Sequence, residues 1–265
     1  MKYSTLFLIA ICFTIFSCKT DTKEQSTKAS ESNSKDLAAE NSSKQKQLEI
    51  QPISHATMVL SYGSDDFYID PTGGAEAFSS FSKPEYVIIT DIHGDHLNIE
   101  TLKGIDLSST MVIAPKAVVD QLPSELNIGK LVTLNNGDSI TDKGYAFEAI
   151  PMYNLREEAL KFHTKGRGNG YVMSIGGERI YISGDTEDIP EMRNLENIDK
   201  AFVCMNLPWT MTVDKAAEAV IEFKPKTVYP YHYRGKDGMS DVDKFKTLVN
   251  QGDESIDVVQ LNWYK

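Results

Sequence analysis

The side chains of this sequence that could carry chemistry are concentrated in one short segment. Residues 90–98 read Thr-Asp-Ile-His-Gly-Asp-His-Leu-Asn, directly after the β-branched run at 86–90. Within six positions the segment holds four possible metal ligands: Asp91, His93, Asp95 and His96. Imidazole nitrogens and carboxylate oxygens suit Zn²⁺ and its divalent neighbours. One histidine after a strand is usually structural, whereas this density favours a metal site.

Three further candidates follow at wide spacing, each beside a predicted strand. His163 lies in a polar loop before the run at 170–175, and Asp185 ends the segment Tyr-Ile-Ser-Gly-Asp. His232 follows Val-Tyr-Pro-Tyr. His163 and His232, together with His93 and His96 of the short segment and with His55, are the five histidines of the chain.

The elements that must position these residues form two similar halves. Predicted strands cover residues 49–62 and 66–70 (two or three antiparallel strands), 86–90, 111–114, 131–134, 146–151, 170–175, 179–183, 200–205, 228–230 and 256–261. Predicted helices cover residues 97–103, 116–121, 213–223 and 241–249. Each half starts with strands and continues with helix–strand alternation. This order predicts an α+β fold in four layers (αββα), with two mixed β-sheets face to face and helices outside.

The spacing Asp-x-His-x-Asp-His at 91–96 resembles the H-x-H-x-D-H signature of the metallo-β-lactamase superfamily, with Asp in the first His position. The later family motifs follow in order at His163, Asp185 and His232, and an Asp70-Pro71 pair before the segment fits the family's early Asp motif. The resemblance covers residues 48–265. It implies a metallo-β-lactamase-like hydrolase fold. It also implies two ligand sets bridged by Asp185: Asp91, His93 and His163 for one metal, and Asp95, His96 and His232 for the other.

The chemistry that this resemblance implies is hydrolysis by a metal-bound hydroxide. Two divalent cations lower the pKa of a shared water toward ~7 and stabilise the charge that develops on the scissile group. Asp185 or Asp95 would handle the proton, and His55 would orient the substrate or protonate the leaving group. We expect Zn²⁺ first, with Mn²⁺ or Fe²⁺ also acceptable because Asp91 is a hard, charged ligand.

A second interpretation of Asp91 stays open. Its carboxylate could accept a hydrogen bond from a ligand histidine without touching a metal, which would leave the enzyme mononuclear.

Within the superfamily, the stretch Ile-Ser-His-Ala-Thr-Met-Val-Leu at 53–60 and Tyr-Ile-Asp-Pro at 68–71 resemble one branch. That branch includes ascorbate-6-phosphate lactonase and the phospholipase D that acts on N-acyl-phosphatidylethanolamines. The branch has a glycine where this chain has Ser54. The resemblance implies that His55 lies near the metal pocket.

Other residues are expected beside the pocket or behind its ligands: Asp70, Arg156, Trp209 and Tyr231. The basic loop at 161–167 surrounds His163. Its charges could bind an anionic group of the substrate, or could simply be solvated.

The first 47 residues predict export and anchoring. A short basic start and the apolar run at 6–16 are typical of a signal peptide, covering residues 1–17. The sequence Ile-Phe-Ser-Cys ending at Cys18 resembles a bacterial lipobox, which implies lipidation of Cys18 and a membrane-anchored lipoprotein on the periplasmic or cell-surface face. Residues 18–47 are polar and predict a disordered tether. The hydrolase domain is expected at 48–265.

Charge narrows the classes of partner. The chain has 27 Lys and Arg against 38 Asp and Glu, a net charge of −11, so a nucleic-acid partner is not expected and a nuclease is disfavoured. The leading hypothesis is a hydrolase of a small-molecule or lipid-like ester, lactone, amide or phosphodiester. The alternative is a catalytically silent metal-binding scaffold of the same fold.

Overall fold

The computed structural model describes residues 46–264. The predicted signal peptide, the lipidation site Cys18 and the tether as far as residue 45 lie outside the described residues. Within 46–264, the helices are too short or too polar for any of them to cross a membrane.

Two mixed β-sheets form the centre of the fold. The first contains β1 (Leu48–Ser54), β2 (Thr57–Tyr62), β3 (Asp65–Ile69), β4 (Tyr86–Ile88), β5 (Met111–Ala114) and β6 (Lys130–Thr133). These strands lie side by side in chain order. The pairs from β1 to β3 are antiparallel, and those from β3 to β6 are parallel.

The second sheet is built from the rest of the chain. Its strands are β7 (Ser139–Asp142), β8 (Tyr145–Met152), β9 (Gly168–Ile175), β10 (Glu178–Ile182), β11 (Lys200–Cys204), β12 (Thr227–Tyr231) and β15 (Asp257–Val258). Between β12 and β15, the strands β13 (Arg234–Gly235) and β14 (Gly238–Met239) form a separate small hairpin. The spatial order is β15-β12-β11-β10-β9-β8-β7. Pairing is antiparallel from β7 to β10 and parallel from β10 through β15.

Helices cover the outer faces of both sheets. Leu102 of α1 (Ile99–Gly104) and Val118 of α2 (Lys116–Val119) pack with Val87 and other outward residues of the first sheet. The helices α3 (Pro190–Arg193), α4 (Val213–Phe223) and α5 (Val242–Gly252) belong to the cluster built around the second sheet. Two 3₁₀ turns, Ala75–Phe78 and Glu157–Ala159, complete the elements.

The alternation of side chains along the strands divides the core. Leu60 and Phe67 point into the space between the sheets, whereas Val59 and Tyr68 point to the helices outside. This period of two is what a strand covered on both faces requires. The four-layer αββα prediction is therefore confirmed.

Some elements were not predicted. The polar strand β7, the one-turn helix α3 and the hairpin β13–β14 have too few apolar residues to show a period. The segments at 49–70 form three strands. α4 occupies the predicted 213–223, because its buried face repeats at helical spacing and Thr212 caps its first turn by accepting from Lys215 N.

Hydrogen bonds join the two sheets at one edge of the sandwich. Asn169, at the start of β9, donates from its backbone to Thr90 O at 3.0 Å and from its side chain to Leu134 O at 2.7 Å. Tyr171 Oη donates to Ile89 O at 3.2 Å. The loop after β4 is thus fixed to the second sheet.

Phe147→Ala tests the layer between the sheets. Phe147 is fully buried, and its ring centroid lies 5.0 Å from that of Tyr86. We expect the free energy of unfolding to fall by about 3–5 kcal/mol, because the truncation leaves a cavity. Urea denaturation measures it, with Leu131→Ala on an exposed position of β6 as the control. Equal effects in the two variants would contradict this packing.

Candidate metal centre

The candidate ligands converge at one edge of the sandwich. Asp91 follows β4, Asp185 follows β10 and His232 follows β12. β4 runs parallel to β3 and β5, and β10, β11 and β12 run parallel to one another. Asp91 therefore lies at the carboxyl ends of the parallel strands of the first sheet, and Asp185 and His232 lie at those of the second. His163 precedes β9, which runs the opposite way, so its loop reaches the same edge.

The first group of ligands is Asp91, His93 and His163, one atom of each lying within 4.8 Å of the others. Asp91 Oδ2 lies 2.8 Å from His93 Nδ1 and 3.9 Å from His163 Nε2. Two ligand atoms on a tetrahedral Zn²⁺ are about 3.4 Å apart, given bond lengths of about 2.1 Å. The spacing of this group fits one divalent cation.

The second group is Asp95, His96 and His232, also within 4.8 Å. His232 Nε2 lies 3.3 Å from Asp95 Oδ2, and His96 Nε2 lies 3.9 Å from Asp95 Oδ1. These separations fit a second divalent cation equally well.

Asp185 stands between the two groups. Its Oδ2 lies 3.2 Å from His163 Nε2 and 3.5 Å from His96 Nε2, and its Oδ1 lies 3.3 Å from His232 Nε2. One carboxylate therefore reaches histidines of both groups, which is the position a bridging ligand needs.

Unpaired buried atoms give an independent test of whether the site suits a metal. Among the described residues, His96 Nε2, His163 Nε2 and Asp185 Oδ1 are buried and make no hydrogen bond. Buried polar atoms normally have a hydrogen-bond partner. These three belong to neighbouring residues, because the Nε2 atoms of both histidines lie within 3.5 Å of the Asp185 carboxylate. Nitrogen and carboxylate oxygen donors left in this state fit divalent metal ions.

Asp70 orients His96 from behind. Asp70 Oδ2 lies 2.8 Å from His96 Nδ1, and its two oxygens also accept from Thr90 N and Oγ1 at 2.7 and 2.6 Å. A carboxylate holding the far nitrogen of a histidine turns its Nε2 toward the metal site. Asp70 therefore lies on the side of His96 opposite Nε2.

Three residues of the site have left-handed backbone conformations. His55, Asp70 and His232 have φ of 50°, 44° and 45°, and they are half of the six non-glycine residues in 46–264 with positive φ. Such conformations are costly for non-glycine residues and cluster at functional sites. The turns that carry these side chains are thus shaped for the site.

His55 lies beside the second group. Its ring meets that of His232 edge-to-face at a centroid distance of 5.4 Å, and its Nδ1 lies 3.4 Å from Tyr264 Oη. Burial lowers the pKa of His55, and the nearby His232 lowers it further. His55 adjoins the cluster without belonging to either ligand group, and its catalytic role stays a prediction.

The carboxylates and histidines of the site shift one another's pKa values. Burial raises the pKa of the Asp185 carboxyl, but His232 and His96 outweigh it and hold that pKa well below its usual range. The pKa of Asp95 is lowered by the same two histidines against burial. Burial lowers the pKa of His232, yet Asp185 raises it to about 9. The carboxylates are therefore ionised and need cationic partners.

Trp209, Arg156 and Tyr231 differ in their relation to the pocket. Trp209 lines it, and its carbonyl lies 3.1 Å from His163 Nδ1. Arg156 instead braces two loops: it pairs with Glu187 at 2.6 Å and donates to the carbonyls of Pro208 and Thr210. Tyr231 is fully buried, and its hydroxyl accepts from Gly184 N at 3.0 Å, behind Asp185.

The pocket in front of the centre has a volume of about 260 Å³. It is lined by His93, Asp95, Phe162, His163, Asp185, Asn206 and Trp209. Polar ligand atoms form one part of the lining, and the rings of Phe162 and Trp209 form another. The arrangement can bind a small polar group at the ligand cluster beside an apolar one.

Sequence reasoning missed the partners of two site residues. Arg167, assigned to a basic loop that could meet substrate or solvent, forms an ion pair with Asp91 at 2.8 Å. Tyr264 reaches His55 from the other end of the chain. The cluster of basic residues around His163 was a signal for Arg167, whereas no local pattern marks Tyr264.

Comparison with known proteins agrees with this geometry. Residues 68–233 match a family model described as the beta-lactamase superfamily domain. A UPF0173 metal-dependent hydrolase from Thermococcus onnurineus is 30% identical over 225 residues, covering 79% of this chain and 95% of its own length.

Two solved structures are similar in fold. A proposed metal-dependent hydrolase from Parabacteroides distasonis is 37% identical, with a TM-score of 0.73 over 83% of this chain and 94% of its own. A metallo hydrolase from the archaeon Ignicoccus hospitalis, 19% identical, has a TM-score of 0.68 over 82% of this chain and 96% of its own. The chain belongs to the metallo-β-lactamase superfamily and is a metal-dependent hydrolase.

Proposed function

We propose that the chain is a dinuclear hydrolase of ester-like bonds in small amphiphilic molecules. The observation that carries the proposal is the position of Asp185, within 3.5 Å of histidines from both ligand groups. The first group of Asp91, His93 and His163 would hold one cation, and the second would hold the other. Zn²⁺ suits both groups, and Mn²⁺ or Fe²⁺ are alternatives for the group that contains Asp91.

When bound, two divalent cations would supply a nucleophile at neutral pH and would polarise the scissile group. The chain's own residues would do the rest. Asp185 and Asp95 are ionised carboxylates that line the pocket, and either would accept a proton from water. His55, beside the second group, would orient the leaving group or protonate it.

The apolar residues around the pocket support a lipid-like substrate. Phe162 and Trp209 line the pocket. Leu160 and Leu207, on the same two loops, are two of the five large hydrophobic residues exposed in the described part of the chain. Each leucine lies two positions before an aromatic residue of the pocket lining, and exposed apolar side chains next to a site provide a surface for an apolar ligand. We therefore infer that the acyl or alkyl part of the substrate lies against these loops.

We further propose that the enzyme works outside the cytoplasm on a lipid anchor. Support comes from the sequence alone, the signal-like residues 1–17 and the lipobox-like sequence before Cys18. Two or more acyl chains give stable anchoring. A membrane location would bring the enzyme close to amphiphilic substrates.

Metal content tests the dinuclear site. We expect about two divalent metals per purified chain, and loss of one in each of His163→Ala and His232→Ala. Asp185→Asn is expected to lower hydrolytic activity more than about 100-fold, beyond the usual loss for an outer-shell partner. Elemental mass spectrometry gives the stoichiometry, with Asp214→Asn, an exposed carboxylate paired with Lys244, as the control. Stoichiometric metal with no hydrolysis of esters, lactones, amides or phosphodiesters would support the silent scaffold instead.

A series of p-nitrophenyl esters tests the substrate class. From acetate to octanoate, we expect kcat/KM to rise by up to about fourfold per methylene, since each buried methylene is equivalent to about 0.8 kcal/mol. Trp209→Ala should flatten the series, whereas Leu131→Ala, an exposed leucine on β6, should leave it unchanged. Preference for the shortest ester, or for bis-p-nitrophenyl phosphate over every ester, would contradict the proposal.

Cell fractionation tests the anchor. In a bacterial host, we expect the full-length chain in the membrane pellet and labelled by a tritiated fatty acid, because lipidation of Cys18 provides the acyl chains. Cys18→Ser should remove the label and move the protein to the soluble fraction. Cys12→Ser, within the predicted signal peptide, is the matched control and should keep both. Label retained in Cys18→Ser would show that this lipidation site is wrong.

A further inference from the structure

Asp91 is held by Arg167, a charged residue that the family signature does not include. Arg167 Nε donates to Asp91 Oδ1 at 3.1 Å, and Arg167 Nη2 donates to Oδ2 at 2.8 Å. The Asp91 side chain is fully buried, and that of Arg167 is 17% exposed. A bidentate, largely buried ion pair between arginine and a carboxylate is strong and directional.

The backbone around Arg167 is built to bring it there. The next residue is Gly168, where a Cβ would lie 2.2 Å from Met152 Cε and 2.9 Å from Thr90 O. Asn169 N then donates to the same Thr90 O at 3.0 Å. The start of β9 can approach the backbone beside Asp91 only because position 168 has no side chain.

The fork of Arg167 leaves one side of Asp91 facing the histidines of the first group. The guanidinium takes one edge of the carboxylate and contacts both oxygens. Oδ2 also lies 2.8 Å from His93 Nδ1 and 3.9 Å from His163 Nε2. Because each carboxylate oxygen has two lone pairs, Oδ2 can bind a cation between these histidines while the outer edge stays bound to Arg167.

The negative charge of Asp91 explains why this position needs a cationic partner. A histidine in the first position of the signature is a neutral ligand, whereas Asp91 adds a negative charge beside Asp185 and Asp95. An uncompensated buried carboxylate is costly. Arg167 supplies one positive charge at the position where the extra negative charge arises.

We propose that Asp91 and Arg167 together replace the first histidine of the superfamily signature. Arg167 is a positioning residue: it orients the Asp91 carboxylate toward His93 and His163 and cancels its charge. The inference rests on the proposed function in one respect, namely that the first group binds a metal.

The first experiment measures metal binding to the full-length chain. Wild type, Arg167→Gln and Arg167→Lys are reloaded with Zn²⁺, and elemental mass spectrometry and calorimetric titration give stoichiometry and affinity. We expect the first-group affinity to fall about 10–100-fold in Arg167→Gln, the usual loss for a residue that holds a ligand. The second group should be unchanged. Arg167→Lys should fall between the two, because it keeps the charge and loses the fork.

The second experiment exchanges the pair. Asp91→His alone puts an imidazole against the guanidinium, and we expect it to lose the first metal. Asp91→His combined with Arg167→Gln should regain it, because a neutral ligand needs no counter-charge. This rescue is a readout that a purely structural ion pair would not produce. Arg179→Gln, which breaks the pair between Arg179 on β10 and Glu148 on β8, is the matched control and should bind metal like wild type.

The outcomes separate this inference from the proposed function. If wild type binds two metals and Arg167→Gln binds both with unchanged affinity, the role of Arg167 is wrong and the dinuclear site stands. If Asp91→His binds as tightly as the double variant, the coupling is wrong. If wild type binds only at the second group, both proposals fail. Should Arg167→Gln not fold, the first-group affinities of Arg167→Lys and of the double variant are measured instead. Unchanged affinity in Arg167→Lys, or no regained metal in the double variant, would then show that the role of Arg167 is wrong.

Discussion

The structure depends on balancing the charge of carboxylates buried at one edge of the sandwich. Asp70, Asp91 and Asp185 are each almost fully buried, and a buried carboxylate without a cationic partner is strongly destabilising. His96 lies between Asp70 and Asp185 and interacts with both, and Arg167 pairs with Asp91. Divalent cations in the two ligand groups would complete this balance. The charges that make the edge suitable for metal also make it costly without partners.

The scaffold supports this edge with backbone features that would be unfavourable elsewhere. His55, Asp70 and His232 have positive φ angles, and such strain persists only where surrounding contacts determine the conformation. Asp70 accepts from Thr90, His55 contacts Tyr264, and the carbonyl of His232 accepts from Met205 N. Asn169 and Tyr171 of the second sheet in turn hold the loop that carries Thr90. The rigid strands hold the loops, and the loops hold the ligands.

The pocket lining has a charged part and an apolar part. Asp95 and Asp185 are ionised, whereas Trp209 and Phe162 give an apolar wall. The Trp209 carbonyl, held by Asn154 at 2.6 Å, also lies against His163. One loop therefore contacts a candidate ligand and also lines the pocket. A shared fold and ligand geometry do not by themselves determine the substrate.

The sequence by itself determined the layers and the composition of the ligand set. Local periodicity defines strands and helices such as α4, and the dense segment at 91–96 lies in one turn because its residues are neighbours in the chain. Tertiary structure decided the partners. Arg167 lies 76 positions from Asp91, and Tyr264 lies 209 positions from His55. Their contacts follow from how two sheets close on each other, which no local pattern contains. For the same reason the sequence could mark the loop of Arg167 as basic, but only the packed sheets show that its charge is turned inward to Asp91.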